Sequence, residues 1–106
     1  MMVKSTEIRG ALKMLIASCE IKLYLPGAST LKDKRRIIKS LLQKSRNKFK
    51  LSAAEVEAQD YIQTAVLGAA LVGSDYQYLQ SVMDKYLDFI ESFPEFSVTD
   101  FEVTIS

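Results

Sequence analysis

The chain has 106 residues, 48% hydrophobic and 25% charged, which is typical of one globular domain with one core. It has no histidine and one cysteine, which excludes histidine-based catalytic triads and dyads, imidazole-ligated zinc sites and an internal disulfide. No apolar run is long enough to span a membrane, and residues 1–11 lack the apolar stretch of a secretory signal, so we expect a cytoplasmic protein without membrane contact.

The first element is a predicted strand between Leu12 and Leu25, where apolar and polar residues alternate with period two. A Pro-Gly turn ends this strand. Thr30 and Asp33 then have the spacing of a capping box, which predicts the start of a helix of about four to five turns. Its apolar residues recur at helical spacing and predict the buried stripe: Leu31, Ile38, Leu41, Leu42 and Phe49.

Two further strands are predicted over residues 51–59 and 64–72, the second apolar on both faces and therefore central in a sheet. Ser74 and Gln77 have capping-box spacing and predict a second helix, which Pro94 ends. Residues 97–105 alternate again and predict the last strand. The order β-α-β-β-α-β predicts an α+β, ferredoxin-like split βαβ fold, with a four-stranded antiparallel sheet and two helices on one face.

Charge is segregated along the chain, although the formal net charge is only +1. Residues 31–50 hold nine lysines and arginines against one aspartate, whereas residues 51–106 hold one lysine against ten acids. The near-neutral total therefore hides a basic first helix followed by an acidic half.

The basic residues of the first helix form a ridge. At about 100° per residue, five of them fall within a sector of about 80°, roughly a third of a turn from the apolar stripe. Solvation alone does not require one sign of charge, because mixed charges gain i,i+4 pairs whereas like charges repel. The pattern indicates a polyanion or an acidic protein partner, and the alternative is a solvated helix face without a ligand. We call these residues, with Arg35 at their flank, the basic ridge: Lys32, Arg35, Arg36, Lys39, Arg46 and Lys50.

RNA is one polyanion that suits this ridge. Proteins of the RRM type share the predicted topology but stack bases on aromatic residues of their central strands. Residues 64–72 contain no aromatic residue, and acids predicted on the exposed sheet face repel phosphate. We therefore expect contact with structured RNA through the ridge and no base stacking on the sheet. The acids predicted on that face are Glu20, Glu55, Glu57, Asp100 and Glu102.

Two other groups of polar residues are candidate sites. Gln59, Asp60 and Gln63 lie in a tight link between two predicted strands, where they either bond their own backbone or bind a ligand. Glu55 and Glu57 are predicted on one strand face near Asp60, and such a carboxylate pair suits a hard cation or acid–base chemistry. A solvated outer strand face is the simpler interpretation of these acids.

The exposed sheet face also carries apolar residues, namely Met14, Ile16 and Val66. A partly apolar open face invites pairing with a second copy, so we expect a homo-oligomer through the sheet. Cys19 lies in an apolar run and is expected to be a small core residue rather than a nucleophile.

Two segments of the sequence are similar to one bacterial family. PGASTLKDKRR (residues 26–36) and AEVEAQDYIQ (residues 54–63) together resemble the YlxP-like family, a domain of unknown function. The resemblance runs from about Met14 to the C-terminus and implies a single ferredoxin-like domain over residues 14–106, preceded by an N-terminal extension over residues 1–13. It implies no reaction. Because family members are commonly encoded among translation and ribosome-maturation genes, it favours an RNA- or ribosome-associated role.

These observations favour a binding module rather than an enzyme. We expect the basic ridge to engage RNA or a ribosomal particle, and we expect no cofactor, metal site or catalytic residue. The alternative is a structural or regulatory homo-oligomer whose ridge meets an acidic protein surface.

Overall fold

The computed structural model describes residues 13–106, so nearly all of the expected N-terminal extension, residues 1–12, lies outside the described residues. The described strands form one antiparallel sheet in the order β2-β3-β1-β4. The predicted α+β ferredoxin-like architecture is therefore confirmed. The elements in chain order are β1 (Leu15–Tyr24), α1 (Leu31–Phe49), β2 (Ser52–Glu57), β3 (Thr64–Gly73), α2 (Tyr76–Glu91) and β4 (Ser97–Ile105).

The core lies between one face of the sheet and the two helices. Odd-numbered residues of β1, such as Cys19 and Ile21, are buried, whereas its even-numbered residues lie on the opposite, open face. Met83 and Tyr86 of α2 are fully buried against the same cluster. Because both helices cover one face, the other face of the sheet has no covering layer among residues 13–106. No helix within these residues is long and apolar enough to cross a membrane.

The start of α1 follows the predicted capping pattern with one change. The Thr30 hydroxyl accepts the backbone N–H of Asp33 at 3.1 Å, as expected for an N-cap. The Asp33 carboxylate reaches back one residue further than predicted and accepts the backbone N–H of Ser29 at 3.3 Å. This bond is the main cause of a lowered pKa of Asp33.

The start of α2 differs from the prediction. Its N-cap is Asp75 rather than Ser74, and the Asp75 carboxylate accepts the backbone N–H groups of Gln77 at 3.0 Å and Tyr78 at 3.3 Å. A charged carboxylate satisfies two orphan donors and interacts favourably with the positive end of the helix dipole. This gives the aspartate an advantage over a serine one position earlier.

Strand β2 is irregular, which overturns the prediction that Glu55 and Glu57 share a face. The register shifts between these two residues, so Glu55 pairs with Leu67 and Glu57 pairs with Val66. Glu55 therefore points towards the helices with buried Leu67, whereas Glu57 lines the open face. The chain then turns sharply at Ala58, which has a positive φ of 61°.

Candidate functional site

The basic ridge is solvent-exposed along the whole length of α1. Every one of its six residues is exposed, and among residues 13–106 only Arg36 has an acidic neighbour, with 3.9 Å between its Nη2 atom and Asp33 Oδ1. That pair is mostly exposed and contributes little, since exposed ion pairs are typically worth about 0–1 kcal/mol. No carboxylate among residues 13–106 lies within ion-pair distance of the other ridge residues, which are Lys32, Arg35, Lys39, Arg46 and Lys50.

The C-terminal end of the ridge is held in place by the backbone. Arg46 donates from Nη2 to the Ala53 carbonyl oxygen of β2 at 2.6 Å, which fixes the guanidinium beside the sheet edge. Lys50 is the C-cap of α1 in the left-handed conformation, with φ 59°, and its N–H donates to the Arg46 carbonyl. Basic side chains at the C-terminal end of α1 also interact favourably with the negative end of the helix dipole, so part of their placement has a structural reason.

A shallow groove runs between α1 and β2, on the flank of the ridge. Arg35, Lys39 and Arg46 line it together with apolar Ile38 and Leu42. Three bases spread over about three turns of α1 thus border one depression, which suits a chain of phosphates better than a single ion.

Glu55 also lines this groove, and it forms an ion pair with a buried lysine that was not predicted from the sequence. Lys34 is fully buried, and its Nζ atom lies 2.8 Å from Glu55 Oε2. The same ammonium donates to the Ala58 carbonyl at 2.5 Å, so it joins α1 to the end of β2. No hydrogen-bond donor in the described chain meets Glu55 Oε2 with good geometry, which leaves this ammonium as its neutralising contact. The sequence contained a signal: Lys34, at helical spacing from Ile38, falls within the apolar stripe.

Two lysines on the opposite flank of α1 cover aromatic rings. Lys44 lies 5.1 Å from the ring centre of Phe93, and Lys48 lies 4.9 Å from that of Phe89. Phe89 and Phe93 also contact each other edge-to-face. These cation–π contacts give Lys44 and Lys48 a packing role, so they differ from the ridge residues.

The predicted ligand loop is divided between structural and exposed residues. Gln63 donates from Nε2 to the Pro26 and Ala28 carbonyls, both at 3.2 Å, and ties the β2–β3 link to the turn before α1. Gln59 and Asp60 are exposed. Gln63 therefore has a structural role, but it bonds the turn before α1 rather than the backbone of its own link. Ligand binding by Gln59 and Asp60 stays a prediction.

The open sheet face carries four of the five predicted acids, and Glu55 is the exception because it turns inward. A hollow on this face has a floor of small residues, with Gly68 at its centre opposite Glu20 and Ala54. A Cβ atom at position 68 would lie 3.1 Å from Val56 Cγ1, so the hollow depends on glycine. The acids of the face are Glu20, Glu57, Asp100 and Glu102.

The structure also places Cys19 and the two glutamates of β2 that were considered as reactive groups from the sequence. Cys19 is buried, and burial raises the pKa of its thiol to about 11, which keeps the thiol protonated at neutral pH. Glu55 and Glu57 lie on opposite faces and do not form the carboxylate pair considered from the sequence. Within residues 13–106, no group of three or more cysteine, aspartate and glutamate residues is placed to hold a metal ion.

Comparison with known proteins identifies the family. The profile described as "Protein of unknown function (DUF503)" matches residues 16–103, which include all six elements almost completely. The chain belongs to this YlxP-like family. It is 37% identical over 83 residues to "Uncharacterized protein YlxP" of Bacillus subtilis (strain 168), covering 78% of this chain and 88% of that protein. The family resemblance read from residues 26–36 and 54–63 is therefore confirmed.

Proposed function

We propose that this YlxP-like protein is a non-enzymatic binding module of the cytoplasm that binds structured RNA, alone or in a ribosomal particle, through the basic ridge. The observation that carries the proposal is the exposure of six bases on one helix face, with a single weak acidic contact among the described residues. Like charges on one face repel each other, and a phosphate backbone relieves that repulsion.

The shape of the surface supports duplex-like RNA rather than stacked bases. Helix α1 has 19 residues and is therefore about 28 Å long, which spans several phosphates of an RNA helix. The open sheet face, where RRM-type proteins stack bases, carries Glu20 and Glu102 on the neighbouring strands β1 and β4. Contacts to phosphate through lysine and arginine recognise the shape of RNA and little of its sequence.

The salt dependence of binding to a ribosomal RNA hairpin tests the proposal. If about five phosphates are neutralised, log affinity falls with log salt at a slope near −4. The double variant Lys32→Gln/Lys39→Gln should bind more weakly and reduce the slope by about 2, because each lysine accounts for about one unit. Lys85→Gln is the matched control, since Lys85 is an exposed lysine of α2 outside the ridge. Binding that is independent of salt, or equal in both variants, would refute the proposal.

An acidic protein surface is the second candidate partner of the ridge. The acidic character of residues 51–106, which hold ten acids and one lysine, favours this candidate because another copy of the chain would present such a surface. Capture of the tagged protein from a cell extract, with and without ribonuclease, separates the two candidates. Ribosomal particles that are recovered only without nuclease support RNA, whereas a protein partner survives nuclease treatment.

A further inference from the structure

The open sheet face and the basic ridge are complementary surfaces on different parts of the molecule, because the ridge lies on the flank of α1 next to edge strand β2. Glu20 and Glu102 are direct neighbours across β1 and β4, and like charges in that position destabilise a sheet. The open face carries four exposed carboxylates against one exposed lysine, Lys22. The protein therefore maintains unfavourable repulsion on both surfaces, negative on one and positive on the other.

We propose that the open sheet face binds the basic ridge of a second copy of this chain, so that copies associate head to tail. In this contact the lysines and arginines of one α1 lie against Glu20, Glu57 and Glu102 of the next molecule, and both sets of repulsions are relieved. The small-residue hollow around Gly68 leaves room for the long basic side chains to reach those carboxylates.

The negative charge of the open sheet face also disfavours a dimer in which two such faces pack against each other. A two-fold pairing of open faces places the same patch on both sides, so the acids of one copy would face the acids of the other. The exposed apolar residues Ile16 and Val72 lie side by side at one end of the face, beyond the hollow. They add apolar contact to a head-to-tail interface without requiring acid to meet acid.

The geometry also defines the kind of assembly. Because the ridge and the open face are different patches of one molecule, the proposed contact is heterologous and repeats from one copy to the next along a chain. A helix about 28 Å long and about 10 Å wide covers much less than the roughly 1,200–2,000 Å² that stable interfaces bury. The association is therefore weak, dependent on concentration and sensitive to salt.

The test is sedimentation of nuclease-treated full-length protein, which keeps it separate from the RNA proposal. In about 20 mM salt, where the Debye length exceeds about 10 Å, the average mass should rise with protein concentration past twice the 11.9 kDa monomer. In about 1 M salt it should return to the monomer, because charge interactions are screened beyond about 3 Å. A monomer at all concentrations up to about 1 mM in low salt, or a mass that stops at the dimer, overturns the proposal.

Charge reversal identifies the two surfaces. The ridge variant Lys32→Glu/Lys39→Glu and the face variant Glu20→Lys/Glu102→Lys should each be monomeric alone. Their equimolar mixture should associate, because the reversed ridge of one variant matches the reversed face of the other. Lys39→Glu and Lys85→Glu form a matched pair with equal charge change, and only the first should weaken association.

All substituted side chains are exposed, and circular dichroism with urea unfolding verifies that each variant is folded. A ridge variant that still associates shows that another surface mediates contact, and a mixture that stays monomeric shows that the two surfaces do not meet. Either result overturns the proposal, whatever is found for RNA.

Discussion

The buried pair of Lys34 and Glu55 leads to a quantitative prediction about stability. The pair joins helix α1 to the irregular end of β2, and water does not compete for the Lys34 ammonium because this side chain is fully buried. Lys34→Met keeps an unbranched side chain of similar length but removes the charge. It leaves the largely buried Glu55 carboxylate without its ion-pair partner.

The size of the effect follows from burial. Removing one partner of a fully buried pair costs about 3–5 kcal/mol, and we expect a smaller loss here because the Glu55 side chain keeps 17% of its exposure. We expect a loss of about 2–3 kcal/mol in the free energy of unfolding. The Ala58 carbonyl adds little to this loss, since it still accepts the Tyr61 N–H at 3.0 Å.

Urea unfolding at neutral pH measures the effect, and a double-mutant cycle assigns it to the pair. The double variant Lys34→Met/Glu55→Gln removes both charges and should be more stable than Lys34→Met, because no buried charge is left unpaired. Lys32→Met, an exposed ridge position two residues earlier, is the matched control and should stay within about 0.5 kcal/mol of the natural chain.

Two results would contradict this reasoning. A loss below about 1 kcal/mol in Lys34→Met would mean that Glu55 reaches water without its partner. Strictly additive effects of the two single substitutions would mean that the residues do not interact despite their 2.8 Å separation.

Further predictions concern single groups. Burial raises the pKa of Tyr86 to about 12. The contribution of the protonated Tyr86 side chain to the free energy of unfolding is therefore complete below pH 10 and is lost as pH rises towards 12. Tyr86→Phe should reduce the fall in stability over this pH range. Tyr86→Phe should also cost about 1 kcal/mol at neutral pH by removing the 2.9 Å hydrogen bond to Ser45, as urea unfolding can measure. Alkylation of Cys19 should be slow at about pH 8 while the chain is folded, and its rate should rise as the chain unfolds in urea. Fast reaction with the folded protein would contradict the burial of Cys19. Ala58→Gly should stabilise the fold by about 1 kcal/mol, because glycine has no penalty at φ 61°, whereas Ala54→Gly in strand β2 should destabilise it.

Much of the fold was predictable because local patterns and the final structure agree. Period-two alternation predicted β4 over the same residues that the structure assigns, 97–105, and helical spacing predicted that α1 buries Ile38 and exposes Lys39. The grouping of the basic ridge on one side of α1 was predicted from the same helical spacing. The capping residue of α2 was misplaced by one position, because Ser74 and Asp75 are both good caps and only the backbone path after β3 selects one of them.

The errors in the candidate site share a physical origin. Period two predicts one face for Glu55 and Glu57 only while the ladder is regular, and the register shift in β2 separates them. The burial of Lys34 was not predicted, because an isolated lysine is costly to bury and its acidic partner lies in another element. An ion pair between residues that are distant in the sequence cannot be recognised from the residue pattern of either element alone.

The sequence alone determined the order of elements, the antiparallel sheet with helices on one face, and the concentration of positive charge on α1, because each depends on the spacing of residues within one segment. The tertiary structure alone decided which charges are neutralised and which remain exposed. That distinction depends on distances between segments: Glu55 of β2 lies against Lys34 of α1, and no described carboxylate comes within ion-pair distance of Lys32 or Lys39.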